Sequence, residues 1–225
     1  MSTQSRIGDG VRFIHQLESD HPGKYWEVMP PQHGDHKIWP QSQYLAYITL
    51  KRVESLEIAR KIKAANDFNA MAIDRDIRSN ARFCVLDNDA TGFYLAGHET
   101  SDYFDEVALI GHYWALKGMM SKAKTLAQSL LQNWNSKLGV LGMDKDDVQH
   151  NLYRVYKTAL AGTLFARVGM QHECQSAATT LEQLPSSDGG WITDIKTDGT
   201  PDGVANLETT CLALICLICA IEGSF

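Results

Sequence analysis

Two kinds of apolar pattern alternate along the chain. Residues 211–221, CLALICLICAI, have almost no polar face, the pattern of a helix covered on every side. In 122–134, Lys122, Lys124, Gln128 and Gln132 alternate with Ala123, Leu126, Ala127, Leu130 and Leu131, leaving one wet face. Apolar stretches at 102–116, 151–168 and 206–222 each stop at a glycine, Gly118, Gly169 and Gly223, about 50 residues apart. A glycine just past a helix supplies the left-handed residue that closes it without a Cβ clash. More amphipathic helices follow at 122–134 and 171–184, and each runs into a loop of glycine and apolar residues.

Two earlier loops, Pro22-Gly23-Lys24-Tyr25-Trp26 and Thr91-Gly92-Phe93-Tyr94-Leu95, repeat that pattern. The chain therefore reads as one all-α domain of about four units, 6–52, 54–118, 120–169 and 171–223, each with an outer helix, a Gly-aromatic loop and an inner helix. Outer helices are expected within 6–19, 54–65, 122–134 and 171–184, inner ones at 42–52, 102–116, 151–168 and 206–222. Alternation of buried and half-exposed helices predicts two concentric antiparallel layers. Residues 66–89 carry no clear period and read as a loop with one short helix at most.

The sharpest unit is Asp188-Gly189-Gly190-Trp191-Ile192-Thr193-Asp194, then turns, then Ala205-Asn206-Leu207-Glu208-Thr209-Thr210. This Gly-Trp loop before a Glu-Thr-Thr helix resembles the repeat of the α/α-toroid superfamily of terpenoid cyclases and protein prenyltransferases. Gln183 ahead of Gly190-Trp191 is similar to the Gln-Trp motif of squalene-type cyclases, without the basic and aromatic residues expected upstream. The resemblance implies an (α/α) toroid or partial toroid. Four hairpins are fewer than that family's usual number, so the ring is small, open, or completed by a second subunit. An open arc would expose apolar inner-helix surface, which favours a homodimer.

Composition narrows the partners. With net charge −6 and no basic run beyond Arg60-Lys61-Ile62-Lys63, the chain has little electrostatic basis for binding nucleic acid. No stretch is long and apolar enough for a transmembrane segment, and the first residues lack an apolar signal core. Five cysteines, mostly inside apolar helices, fit reduced thiols and a cytoplasmic location.

Candidate chemistry sits in the loops. Asp144-Lys145-Asp146-Asp147 matches the Asp-x-Asp-Asp letters of class II terpene cyclases. That resemblance makes Asp146 a buried, protonated acid able to protonate an alkene or epoxide. The other reading is an acidic helix start complementing the helix dipole in water. His33, Asp35 and His36 have metal-ligand spacing but no second Cys/His cluster, so no metal or other cofactor is expected. Asp87-Asn88-Asp89-Ala90-Thr91-Gly92 begins like a calcium loop but has His98 where the bidentate Glu belongs, which leaves a turn.

If the inner helices start at one rim, each unit sends residues to one mouth. His36, Trp39 and Tyr44 come from the first unit, and Tyr94, His98, Asp102, Tyr103 and Asp105 from the second. Asp146, His150, Tyr153 and Tyr156 come from the third, and Trp191, Asp194, Asn206, Glu208 and Thr209 from the fourth. Asp146, His98 and Tyr153 are the expected catalytic residues; His36, Trp39, Tyr44, Tyr94, Asp102, Tyr103, Asp105, His150 and Asp194 are the expected substrate contacts. Trp191 and Glu208 read as scaffold, packing beneath the loop and capping backbone amides. Aromatics and a few acids around an apolar cup suit a hydrophobic polyene or terpenoid-like substrate. The expected function is a cofactor-independent cyclase, pericyclic or acid-initiated. The competing class is a glycan lyase or hydrolase, or a non-catalytic scaffold, on the same toroid; an acidic, Trp/Tyr-rich groove would favour glycans.

Overall fold

A computed structural model describes residues 2–29, 38–53, 56–66, 68, 83–89 and 99–225. The described chain is mostly helical with a few short strands. Its helices are α1 (Thr3–Gln16), α2 (Pro40–Arg52), α3 (Leu56–Ala65), α4 (Phe104–Leu116), α5 (Met120–Gln132), α6 (Lys145–His150), α7 (Val155–Arg167), α8 (Gln171–Leu181) and α9 (Leu207–Glu222), with a 3-10 helix at Phe83–Asp87. Ser2 caps α1 by accepting from the Ser5 amide, and a proline in the first turn of α2 sits where its missing N–H costs nothing. Gly118, Gly169 and Gly223 follow α4, α7 and α9 with φ of 73°, 78° and 72°, the left-handed closure expected of them.

The strands depart from expectation. β1 (Trp134–Asn135) pairs with β2 (Val140–Leu141), while β3 (Leu152–Arg154), β4 (Ile192–Lys196) and β5 (Pro201–Ala205) form an antiparallel sheet in that order. The stretch 151–168 is therefore not one helix. Asn151, at φ 58°, ends α6, and Tyr153 and Arg154 then pair with Ile195 and Asp194 before α7 begins. Three residues of strand are too short for a two-residue period to show against the helix that follows. Similarly, the expected turn region between Trp191 and Asn206 is the β4–β5 hairpin, folded at Gly199 with φ 90°.

Helix packing follows the two apolar patterns. α9 packs against α1, α2, α7 and α8, and every residue from Thr209 to Ala220 is buried. α7 also packs against α4, α4 against α5, and α2 against α3; the 3-10 helix touches both α2 and α4. Trp191 is fully buried and donates its indole N–H to the Leu181 carbonyl at 2.7 Å, which fixes the Gly-Trp loop beneath α8. It is scaffold, as its sequence context suggested. No helix among the described residues is long and apolar enough to cross a membrane.

Gly162 marks a close approach between α7, α8 and α9. A Cβ there would lie 2.5 Å from Cys216 Sγ and 2.7 Å from Ala177 Cβ, and neither neighbour has a flexible end that could swing away. Gly162→Ala is expected to lower stability by about 1–3 kcal/mol despite the better helix propensity of alanine. A thermal melt showing equal or higher Tm would contradict this packing.

Candidate functional site

Four helices, α2, α4, α7 and α9, begin at one end of the molecule. Residues 25–28 lie between the starts of α2 and α9. The Gln43 side chain hydrogen-bonds the Tyr25 amide and carbonyl, both at 2.8 Å, and the Glu27 carbonyl accepts from the Leu207 amide at 2.9 Å. On the other side, Asp144 joins the starts of α4 and α7: its Oδ2 accepts from the Phe104 amide at 3.0 Å and from Lys157 Nζ at 2.7 Å.

The Asp-x-Asp-Asp segment is divided by helix phase. Asp144 caps α6 and Asp147 closes a capping box with it, so these two face inward while Lys145 and Asp146 point out. Lys157, 3 % exposed, lies 2.9 Å from both Asp147 oxygens as well as 2.7 Å from Asp144. Arg154 extends the network to Asp147 at 3.5 Å and Asp194 at 2.7 Å. Burial works to raise both aspartates. At Asp144 the Lys157 and Phe104 hydrogen bonds overcome it and hold the carboxyl below its usual value; at Asp147 burial wins and the pKa is raised. Asp146 is exposed. The burial that the cyclase resemblance asks of Asp146 is therefore not present, and the motif's buried carboxylates are an ion-paired clamp. Asp146→Asn is expected to leave the unfolding free energy within about 0.5 kcal/mol of wild type, as an exposed surface change does.

A second carboxyl cluster lies at the same end. Glu208, in the first turn of α9, and Asp105, in the first turn of α4, share it with Tyr156 of α7 and with Glu27. Each is half-buried. Glu27 Oε1 accepts from the Glu208 amide at 3.3 Å, while its Oε2 is buried with no hydrogen bond of acceptable geometry among the described residues. Burial pushes the Glu27 carboxyl up to about 7, against the opposing pull of the Ser42 hydroxyl and the Glu208 amide. Burial, then repulsion from Glu27 and Asp105, pushes Glu208 up to about 8. The Tyr156 phenol is raised by burial and by Asp105, Glu208, Asp147 and Asp144, so it stays a neutral donor. Asn206, rather than Glu208, caps α9 by accepting from the Thr209 amide.

The remaining expected residues are spread differently. His36, Tyr94 and His98 lie outside the described residues. Trp39 is 44 % exposed at the start of α2, and Tyr103 is exposed at the start of α4 with Lys145 Nζ 4.5 Å over its ring. Lys145 also pairs with exposed Asp102 at 2.9 Å. His150 is exposed, its Nδ1 2.9 Å from the Asp146 carbonyl. Tyr153 is buried in β3, its hydroxyl accepting from Asn135 at 2.8 Å, and Asp194 is buried against Arg154. Tyr44 belongs to a separate group, its hydroxyl 3.5 Å from Asp87 and its ring edge-on to Phe68; Asp87, read as part of a turn, also holds Lys51 at 2.9 Å. Of the substrate contacts expected from sequence, Asp105 is the one that joins the carboxyl cluster.

Sequence reasoning missed Glu27. Its signal was its place directly after Tyr25-Trp26 in the first Gly-aromatic loop, but contact with Glu208 spans most of the chain and has no local pattern. Among the described residues no group of three or more His, Cys, Asp or Glu is placed to hold a metal ion. No protein-family model matches the chain, and no curated protein matches it significantly.

Proposed function

We propose that the helical hairpins form a partial α/α toroid and that Glu27, Asp105, Tyr156 and Glu208 at its rim form the active site of an acid–base enzyme acting on a glycan. The observation that carries this is the carboxyl pair Glu27 and Glu208, with proton affinities of about 7 and 8. Two neighbouring carboxyls, Glu208 mostly protonated and Glu27 about half ionised at neutral pH, are the pattern of a general acid and its partner. Glu208, with the higher value, gives its proton to the departing glycosidic oxygen. Glu27, which has the helix-terminal amide on Oε1, takes a proton from the water that forms the new C–O bond.

Magnitude separates this from an acid-initiated cyclase. An acid with a pKa near 8 is matched to a leaving oxygen at neutral pH but is far too weak to protonate an unactivated alkene. A pericyclic cyclase on a hydrophobic polyene is the second reading. It is favoured by the neutral Tyr156 phenol, a donor that could polarise an activating carbonyl, and by the Gly-Trp and Glu-Thr-Thr resemblance.

The test is release of reducing ends or unsaturated products from a panel of polysaccharides. Glu208→Gln is expected to lower turnover about 10²–10⁴-fold, the usual share of a general acid, with Asp146→Asn near wild type. Equal activity in Glu208→Gln would refute the acid–base assignment. Polyene turnover slowed by Tyr156→Phe but indifferent to Glu208→Gln would select the cyclase instead.

A further inference from the structure

Glu27 is held in place through the backbone of residues 25–28, a segment outside the helices and the two sheets. Each residue of it is tied to a different neighbour. The Tyr25 amide donates to Gln43 Oε1 and the Tyr25 carbonyl accepts from Gln43 Nε2, both at 2.8 Å. The Trp26 amide donates to the Leu17 carbonyl at 2.8 Å, the Glu27 carbonyl accepts from the Leu207 amide at 2.9 Å, and Val28 bridges to Asn206.

The ties to Leu17 and Leu207 are made by their backbones, which almost any sequence would supply. Gln43 instead offers a side chain whose flat carboxamide carries a donor and an acceptor, as a neighbouring strand would. Gln43 and Tyr25 are both buried. Without the carboxamide, the Tyr25 amide and carbonyl would be left in the interior without partners, so water must enter or the segment must move. Two residues on, Glu27 Oε1 lies 3.3 Å from the Glu208 amide, at the long end of a hydrogen bond, where a small displacement breaks it. Ser42, next to Gln43 in α2, reaches the same carboxyl.

We propose that Gln43 is a positioning residue: its carboxamide, acting through the Tyr25 backbone, sets the Glu27 carboxyl against the start of α9. The proposal rests on the acid–base reading of Glu27 and Glu208 and adds the residue that fixes their spacing.

The test is an NMR titration of the glutamate carboxyl carbons in the full chain, assigned with Glu27→Gln, alongside the polysaccharide cleavage assay. Gln43→Leu is expected to admit water at Tyr25 and bring the Glu27 midpoint from about 7 to below about 6, because burial is the main cause of its elevation. Glu208 and Cys211 of α9, which face the same carboxyl, are untouched by the substitution. Turnover is expected to fall about 10–10²-fold with KM little changed, the effect of a misplaced catalytic group on a bound substrate. Gln43→Asn keeps the carboxamide on a stem one methylene shorter, and it carries the same expectation if Gln43→Leu does not fold. Thr49→Val removes a different buried bond from α2 to α9, Thr49 Oγ1 to the Cys211 carbonyl at 3.4 Å, and is expected to leave the Glu27 midpoint where it is. An unchanged midpoint in the Gln43 variants, an equal shift in Thr49→Val, or a shift with undiminished cleavage would overturn the positioning role. A shifted midpoint in a protein that cleaves no glycan would leave Gln43 as the clamp on Glu27 and overturn the glycan reading. Cleavage lost in Glu208→Gln with an unchanged midpoint in the Gln43 variants would do the reverse.

Discussion

Replacing Lys157 with methionine is expected to destabilise the fold by about 3–5 kcal/mol, the usual cost of removing one partner from a buried ionic network. One ammonium holds two buried carboxylates, at 2.7 Å from Asp144 and 2.9 Å from Asp147. Asp144 also accepts the Phe104 amide at the start of α4, so the lysine secures three elements, α4, α6 and α7, at the rim. Methionine keeps the aliphatic volume but leaves Asp144 and Asp147 with Arg154, 3.5 Å from Asp147, in place of the shared ammonium. The loss corresponds to a fall in Tm on the order of 10 °C for a domain of this size. Acid should relieve it: near pH 4 the carboxyls left without the ammonium take up protons and the deficit relative to wild type shrinks. Urea unfolding at pH 4 and pH 7 measures both quantities. A Lys157→Met protein as stable as wild type at pH 7 would show that the network is not a clamp.

The second large effect is a dependence of stability on pH. Glu27 and Glu208 have folded values of about 7 and 8, well above the ordinary carboxylate range. The folded state therefore binds more protons than the unfolded state between about pH 5 and 8, and stability falls as pH rises through that window. Below the unfolded pKa the contribution is fully present; above about 8 it is gone. Buried His112 acts in the opposite sense, because burial and Arg167 hold its pKa well below the ordinary value and stability is lost as pH drops through 6.5. Comparison with a Glu27→Gln/Glu208→Gln variant cancels the His112 contribution. The variant is expected to be more stable than wild type at pH 8 by an amount on the order of 3 kcal/mol, and to lose most of that advantage at pH 5. A difference between the two proteins that does not change with pH would mean that neither carboxyl is held protonated. The same change that raises stability is expected to abolish turnover, the usual conflict between an acid kept neutral for chemistry and a core that prefers no carboxyl there.

Most helices were legible because their signals are local. The all-apolar face of 211–221 requires cover on every side, and α9 receives it from four helices. Gly118, Gly169 and Gly223 mark the ends of α4, α7 and α9 by a backbone requirement that few other residues meet. The short strands were not legible: β3 exists because Tyr153 and Arg154 pair with Ile195 and Asp194, some 40 residues on, a contact that leaves no period in three residues. At the site, the letters Asp-x-Asp-Asp pointed to Asp146, whereas helix phase turned Asp144 and Asp147 inward and left Asp146 in water.

By itself, the sequence determined where most of the helices run, where α4, α7 and α9 stop and which helices must be buried, since period and capping act within a few residues. Only the tertiary structure decided which carboxyls are chemically unusual. Proton affinity depends on desolvation and on charges brought close from Glu27, Asp105 and Glu208, residues that no local pattern connects.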